Sequence, residues 1–311
     1  MHDQGQLSEP PRVISIRGRS LDQELTGRVI TESTSTGDPC AVDLTIIATQ
    51  TARHVADAQY FGGFTERLLV EKPIATSLAQ ASELADLARR VPMAVCAPLR
   101  FLDAFTAVKA TLPGLGALRS VRVRCQSWLP DWRPGTDFRA SYSADPQQGG
   151  VLRDLVHEID VAITLFGMPQ AVTAELASDP ELDIPVETSA HMTWHYEGYD
   201  LTMVLDYVSR VPTRGLIAEG AYGHLTWDLL AGRVDVDNPV STDRAFPGDL
   251  DRDAVLQAQV EAAAAPAGSA GANACARLAD GMRALAIVEF AKASAAAGGQ
   301  RVAVSITRSA S

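Results

Sequence analysis

The 311-residue sequence has no run close to the ~20 consecutive apolar residues that a membrane span requires. It has no excess of positive charge: 27 Lys and Arg stand against 38 Asp and Glu, for a net charge of −11. That balance argues against nucleic-acid binding, which needs a basic stripe. Its first residues, MHDQGQLSEPP, show neither the basic nor the apolar segment of a secretory signal, so a cytoplasmic location is expected. The four cysteines, Cys40, Cys96, Cys125 and Cys275, form no C-x-x-C pair. This removes a disulfide framework or a zinc site and leaves free, mostly buried thiols. No G-x-G-x-x-G occurs before residue 100, so there is no ready turn at which backbone amides could approach a pyrophosphate.

What is present is ordinary for a globular chain: 46% hydrophobic and 21% charged residues, over a length that fits two domains better than one. The first part alternates short β-branched runs (Val13–Arg17, Leu44–Ala48, Leu68–Val70, Met93–Cys96) with helical patterns over 51–60 and 76–91, where Thr76 or Ser77 is the cap. Strand–helix alternation predicts a parallel, doubly wound α/β unit. After Arg100 the pattern changes. Leu118–Ser127 alternates as a strand, a Trp/Pro-rich loop follows, and 149–166 reads as one helix. His191–Tyr196 and Leu201–Tyr207 read as a hairpin, with further strands at Gly215–Glu219 and Gly223–Asp228. The stretch 261–274 is expected to be a mobile loop before a last helix over 280–296. The expected class is therefore α/β plus α+β, with a reduced nucleotide-binding-like domain over 1–97 and an open, mostly antiparallel sheet domain over 98–311.

Three motifs carry chemistry. In Leu68–Pro73 (LLVEKP), a buried strand runs into Glu71-Lys72-Pro73. That places Lys72 at the carboxyl end of a parallel strand, the edge where open α/β sheets bind ligands, as a proton donor or hydroxyl anchor; the alternative is a solvated strand-end lysine. In Gly149–Asp160 (GGVLRDLVHEID), Asp154 and His157 stand three apart. On one helix the aspartate can orient the imidazole for acid–base work, or the two are a cap and a structural histidine. Thr49 or Thr51 can cap a helix whose amides face an anion, with His54 read as structural. His191 and His195 merely share a strand face, and no metal is expected.

Together the segments VDLTIIATQTARHVADA, LLVEKPIATSLAQA, PLRFLDAFTAVKATL, SYSADPQQGGVLRDLVHEIDVAITLFGMP and RVPTRGLIAEGAYGHLTWD resemble, in order and spacing, the glucose–fructose oxidoreductase/inositol dehydrogenase (Gfo/Idh/MocA) family. The resemblance implies a Rossmann-like domain for NAD or NADP, and a sheet domain over a sugar-, nucleotide-sugar- or cyclitol-like small molecule. It implies that Lys72 contacts substrate hydroxyl and cofactor ribose, and that Glu71 lies on the nicotinamide side. His157 becomes the acid–base at the reacting carbon, with Asp154 as its partner or a second substrate contact, and Arg100 and Tyr142 touch substrate. A homodimer or homotetramer through the open sheet face is likewise implied. In Leu201–Tyr207, Leu201, Met203 and Leu205 share one face, and Thr202, Val204 and Asp206 the other.

The resemblance breaks near the N-terminus. VISIRGRSLDQELTGRVITEST aligns with the family's second strand, helix and third strand, leaving no first strand or glycine loop. The nearest substitute is Arg17-Gly18-Arg19-Ser20, and Pro98 stands where an amide side chain is usual. Three explanations remain: a variant without ordinary cofactor binding, a degenerate Arg17–Ser20 loop, or residues preceding Met1. NAD(P) affinity is accordingly expected to be weak. Two other readings stand beside an oxidoreductase: a redox-silent epimerase, lyase or cyclase using Lys72, Asp154 and His157, and a non-catalytic partner subunit.

Overall fold

A computed structural model describes residues 12–15, 30–33, 42–237 and 244–305. The chain forms two compact units, Met1–Ala41 and Val42–Ser311. In the first, β1 (Arg12–Ser15) and β2 (Ile30–Ser33) pair in parallel, Arg12 opposite Ile30. Arg17, Gly18, Arg19 and Cys40 lie outside the described residues.

The second unit opens with β3 (Thr45–Ile47), α1 (His54–Phe61), β4 (Leu68–Val70), α2 (Leu78–Ser82), α3 (Ala85–Arg90) and β5 (Met93–Val95). Strands β3, β4 and β5 are parallel and in sequence order. Leu68, Leu69 and Val70 are buried, as a strand covered on both faces requires. Ser77 caps α2, its Oγ accepting from the Gln80 amide. The single helix expected over 76–91 is two: the Glu83 and Leu84 amides bond three residues back, to Gln80 and Ala81, and this tighter turn breaks the run.

The remainder comprises α4 (Asp103–Thr111), β6 (Leu118–Trp128), α5 (Val151–Asp154), α6 (Val156–Phe166), β7 (Ala171–Ala177), β8 (Ser189–His195), β9 (Asp200–Asp206), β10 (Val208–Gly220), β11 (Gly223–Asp228), β12 (Arg233–Asp237), β13 (Arg244–Ala245), α7 (Arg252–Ala264), α8 (Ala270–Ala274), β14 (Ala276–Arg277), α9 (Leu278–Ala296) and β15 (Val302–Ala303). Among the described residues, nine strands form one sheet in the order β13-β12-β11-β10-β6-β9-β8-β7-β15. Only β6 and β9 are parallel neighbours; the other pairs are antiparallel. The fold is thus a parallel, Rossmann-like sheet followed by a large, mostly antiparallel one. Leu201, Met203, Leu205, Val121, Val123 and Trp194 point inward and are buried, against α6 and α9. Thr202, Arg122 and Arg124 face outward and are exposed, while Val204 is half-buried and Asp206 buried.

Two expectations fail here for local reasons. The helix expected over 149–166 breaks at Leu155 (φ −93°, ψ 25°), so Asp154 ends α5 and His157 begins α6. The expected loop over 261–274 is mostly helical: α7 stops at Ala264, two residues before Pro266, and Ser269 restarts the chain as the cap of α8, its Oγ accepting from Ala272. Ala276 and Arg277 then pair antiparallel with Val95 and Ala94, so β14 completes the edge of the parallel sheet beyond β5. Among the described residues, no helix is long and apolar enough to cross a membrane.

Candidate active site

β4 delivers Lys72 to the carboxyl edge of the parallel sheet. Pro73, which carries no amide, follows through a cis Lys72–Pro73 bond and ends the strand. The Glu71 amide still bonds Ile47 of β3 (2.8 Å), while the Glu71 carboxylate turns back to accept from the Lys72 amide at 3.1 Å. The Lys72 ammonium crosses to the second half of the chain and donates to the main-chain oxygen of Asp154 at 2.7 Å. Its charge therefore faces a carbonyl rather than a neutralising carboxylate.

Asp154 is buried (4% exposed), and each of its oxygens has a distinct setting. Oδ2 accepts from the Tyr207 hydroxyl at 2.6 Å, whereas buried Oδ1 has no partner among the described residues. Burial, then Asp154, push the Tyr207 phenol well up; the same two causes raise that of Tyr142, on the adjoining loop. Trp132 stands edge-on to Tyr207, ring centroids 5.4 Å apart, and pins this loop through Nε1 to Ser127 Oγ at 2.8 Å. The glycine pair ahead of α5 is a steric necessity. A Cβ on Gly149 would strike the Tyr142 and Ser143 carbonyl oxygens, and one on Gly150 (φ +93°) the Glu187 carboxylate.

His157 sits one turn on, in α6. Burial lowers its pKa well below the usual value, and Lys72, Arg214 and Arg252 push the same way. The imidazole is therefore neutral at pH 7 and able to accept a proton. No hydrogen bond joins it to Asp154 among the described residues; the helix breaks between them, at Leu155, and Asp154 is held by Tyr207 instead. Arg214 itself is paired with buried Glu158 (2.6 Å).

The other expected residues are committed elsewhere. Thr49 gives its hydroxyl to Asp57 (2.8 Å). Of the amides beyond it, that of Ala52 donates to Gln148 Oε1 (3.3 Å) and that of Arg53 to Gln50. His54 bridges the Pro73 and Thr49 carbonyls at 2.8 and 3.1 Å, a structural clamp. Arg100 binds Asp160 through two nitrogens (2.6 and 2.8 Å) and Asp280 through a third (3.3 Å). His195 bonds Thr173 and Asp200, and among the described residues no group of three or more His, Cys, Asp or Glu could hold a metal.

The family model for the GFO/IDH/MocA C-terminal domain matches residues 113–226. Over that segment the chain resembles the C-terminal domain of Gfo/Idh/MocA proteins. The matched segment holds Tyr142, Asp154, His157 and Tyr207 but not Lys72. An uncharacterised oxidoreductase of Schizosaccharomyces pombe, C26H5.09c, is 34% identical over 149 residues, 46% of this chain and 39% of the relative. The Escherichia coli oxidoreductase YhhX is 30% identical over 139 residues, 44% of this chain and 39% of its own. The matches thus span well under half of these relatives' lengths. Among solved structures, an oxidoreductase domain protein from Kribbella flavida superposes with a TM-score of 0.77 at 17% identity, over 96% of this chain and 91% of that one. An NAD+-bound inositol dehydrogenase homolog from Azotobacter vinelandii gives 0.71 at 18% identity, over 84% and 78%. At such identities these two establish the fold.

Several family-site neighbours were not legible beforehand. Tyr207 read only as a strand end, yet it holds Asp154 from 53 residues away. Gln148 is buried, with Nε2 on Asp145 and Oε1 on Ala52. Gln259 of α7 caps β5 by accepting from the Ala97 amide at 2.7 Å, beside Cys96. No local pattern marks a polar side chain whose partner lies far along the chain.

Proposed function

We propose that the chain is an oxidoreductase acting on a hydroxyl or keto carbon of a sugar-, nucleotide-sugar- or cyclitol-like molecule, with NAD or NADP as its redox partner. The observation that carries this reading is the Lys72 ammonium bound to the Asp154 main chain, close enough to neutral His157 to lower its pKa. A substrate hydroxyl placed between them loses its proton to His157. Lys72 stabilises the negative charge that develops on the same oxygen, in a partly dry site where such charge–charge stabilisation is strong. Asp154 Oδ1 accepts from a neighbouring hydroxyl and sets the sugar's orientation. When bound, the dinucleotide supplies the hydride acceptor.

The described residues fit this partner at one end only. Lys72, Asp154 and His157 would supply the acid–base end, but no glycine turn follows Thr49, and Gln148 takes the Ala52 amide, the Gln50 carbonyl the Arg53 amide and Asp57 the Thr49 hydroxyl. Arg17 and Arg19, the expected phosphate contacts, lie outside the described residues. The engaged Ala52 and Arg53 amides favour one second reading, a redox-silent epimerase, lyase or cyclase that keeps Lys72, Asp154 and His157. A homodimer or homotetramer through the outward sheet face is part of the same proposal. That face is exposed along Arg122, Arg124 and Thr202, and a strictly monomeric mass by light scattering would rule it out.

The test is titration with NAD+ and NADP+ by calorimetry, followed by a dehydrogenase screen on sugars and cyclitols with wild type and Lys72→Met. Dinucleotide reduction lost with Lys72 supports the oxidoreductase. No dinucleotide binding, together with turnover that depends on His157, establishes the second reading. Neither binding nor turnover leaves the chain a partner subunit.

A further inference from the structure

Several cations border this site in a protein whose net charge is −11. The Lys72 ammonium meets a carbonyl, not a carboxylate. Arg133, on the loop pinned by Trp132, lies over the Tyr142 ring, its guanidinium carbon 5.7 Å from the centroid. Arg133 is exposed and has no acidic partner among the described residues; its charge acts on the Tyr142 phenol, the group that also faces Asp154. On the other flank, Arg252 at the start of α7 reaches His157 with its field and likewise has no acidic partner among the described residues. The nearby acids other than Asp154 have partners of their own. Glu158 holds Arg214, Glu71 holds the Lys72 amide, and Asp251 caps α7.

Gathering unpaired cations costs self-repulsion, which a bound anion relieves. Between these charges lie surfaces suited to a hydroxylated ring. Trp132 and Tyr142 each expose 38% of their surface, and Asp154 Oδ1 is a buried acceptor with no donor. Resting on the polyol reading above, we propose that the substrate carries an anionic group, a carboxylate or phosphate, which Arg133 grips beyond Tyr142 while a hydroxyl of the same molecule reaches Lys72, Asp154 and His157. Arginine suits this task because its planar fork pairs two donors with such groups and stays charged when partly dried.

Matched probes test it: glucose against glucuronate and glucose 6-phosphate, and myo-inositol against myo-inositol 1-phosphate, with inorganic phosphate alone as the reference. Calorimetry on the full chain should give the anionic member of a pair about a tenfold or greater advantage at low salt, shrinking as salt rises. Arg133→Gln should remove most of that advantage and leave the neutral partner's affinity unchanged. Because Arg133 is exposed, the variant keeps the fold. Arg139→Gln, whose guanidinium instead covers Phe138 at 4.5 Å, is the surface-charge control and should change nothing. Equal binding of neutral and anionic partners overturns the proposal while the polyol reading stands. So does an advantage untouched by Arg133→Gln, or one that inorganic phosphate alone reproduces. If no member of any pair binds, the polyol reading itself falls and the proposal with it.

Discussion

Replacing Arg100 with methionine should cost more stability than most substitutions in this chain, and the loss should run chiefly through Asp160. Arg100 follows β5 and ties it to α6 and α9. Its side chain is 10% exposed and that of Asp160 12%. Asp280, at 21%, keeps the Arg277 amide (3.0 Å) and Arg283 (2.9 Å) when Arg100 is gone, but Asp160 keeps no cation among the described residues. Stranding one buried carboxylate in this way costs about 3–5 kcal/mol. For a domain of this size that is a fall of roughly 6–20 °C in Tm.

The pH dependence gives a sharper signature. Burial raises Asp160 above the ordinary carboxyl range, and Arg100 pulls it back down. Without Arg100 it rises further. A carboxyl whose folded pKa exceeds its unfolded value binds more protons in the folded state between the two values. Stability is then lost as pH rises through that window and recovered as it falls, by at most about 1.4 kcal/mol per pH unit. The Arg100→Met deficit should therefore be largest near neutrality and shrink toward pH 5. Asp160→Asn on the Arg100→Met background should restore most of the loss. Denaturant unfolding at several pH values measures all three effects. A deficit below about 1 kcal/mol at pH 7, or one independent of pH and untouched by Asp160→Asn, refutes the reasoning.

Gly150→Ala forces a side chain into a positive-φ position and against the Glu187 carboxylate, so urea unfolding should show a loss of about 2 kcal/mol or more. His157, with its folded pKa depressed by burial first, binds fewer protons folded than unfolded below about pH 6.5; wild-type stability should fall on acidification there, and His157→Gln should flatten that slope in the same titration. Tyr207→Phe removes the only donor that the described residues give Asp154 Oδ2, and thermal unfolding should register about 1–3 kcal/mol with the secondary structure kept. Burial raises the thiol pKa of Cys96, Cys125 and Cys275, so iodoacetamide at pH 8 should label them far more slowly than in the unfolded chain, as read by mass spectrometry; rapid labelling of the native protein would contradict the packing.

The parts of this molecule that could be read in advance are those specified by neighbours in sequence. Leu68–Val70 announces a buried strand through composition alone, and Glu71-Lys72-Pro73 announces where it stops. The alternation of Leu201, Met203 and Leu205 likewise names the inward face of β9. Helix continuity was harder, because Leu84 and Leu155, where the helices break, have good helical propensity. The bonds that shape the site are long-range. Lys72 reaches Asp154 across 82 residues and Ala52 reaches Gln148 across 96. Two-residue strands such as β14 and β15 carry no period at all.

β14 gives the protein an unusual order of assembly. The strand that completes the parallel sheet beside β5 is synthesised about 180 residues after β5, and α9, which follows it at once, packs against β5, α2, α6 and β7. During translation the β5 edge of the parallel sheet therefore stays unpaired, and α9 absent from beside it, until those later residues have been made. Its amino-terminal half cannot mature ahead of the rest as an independent unit would.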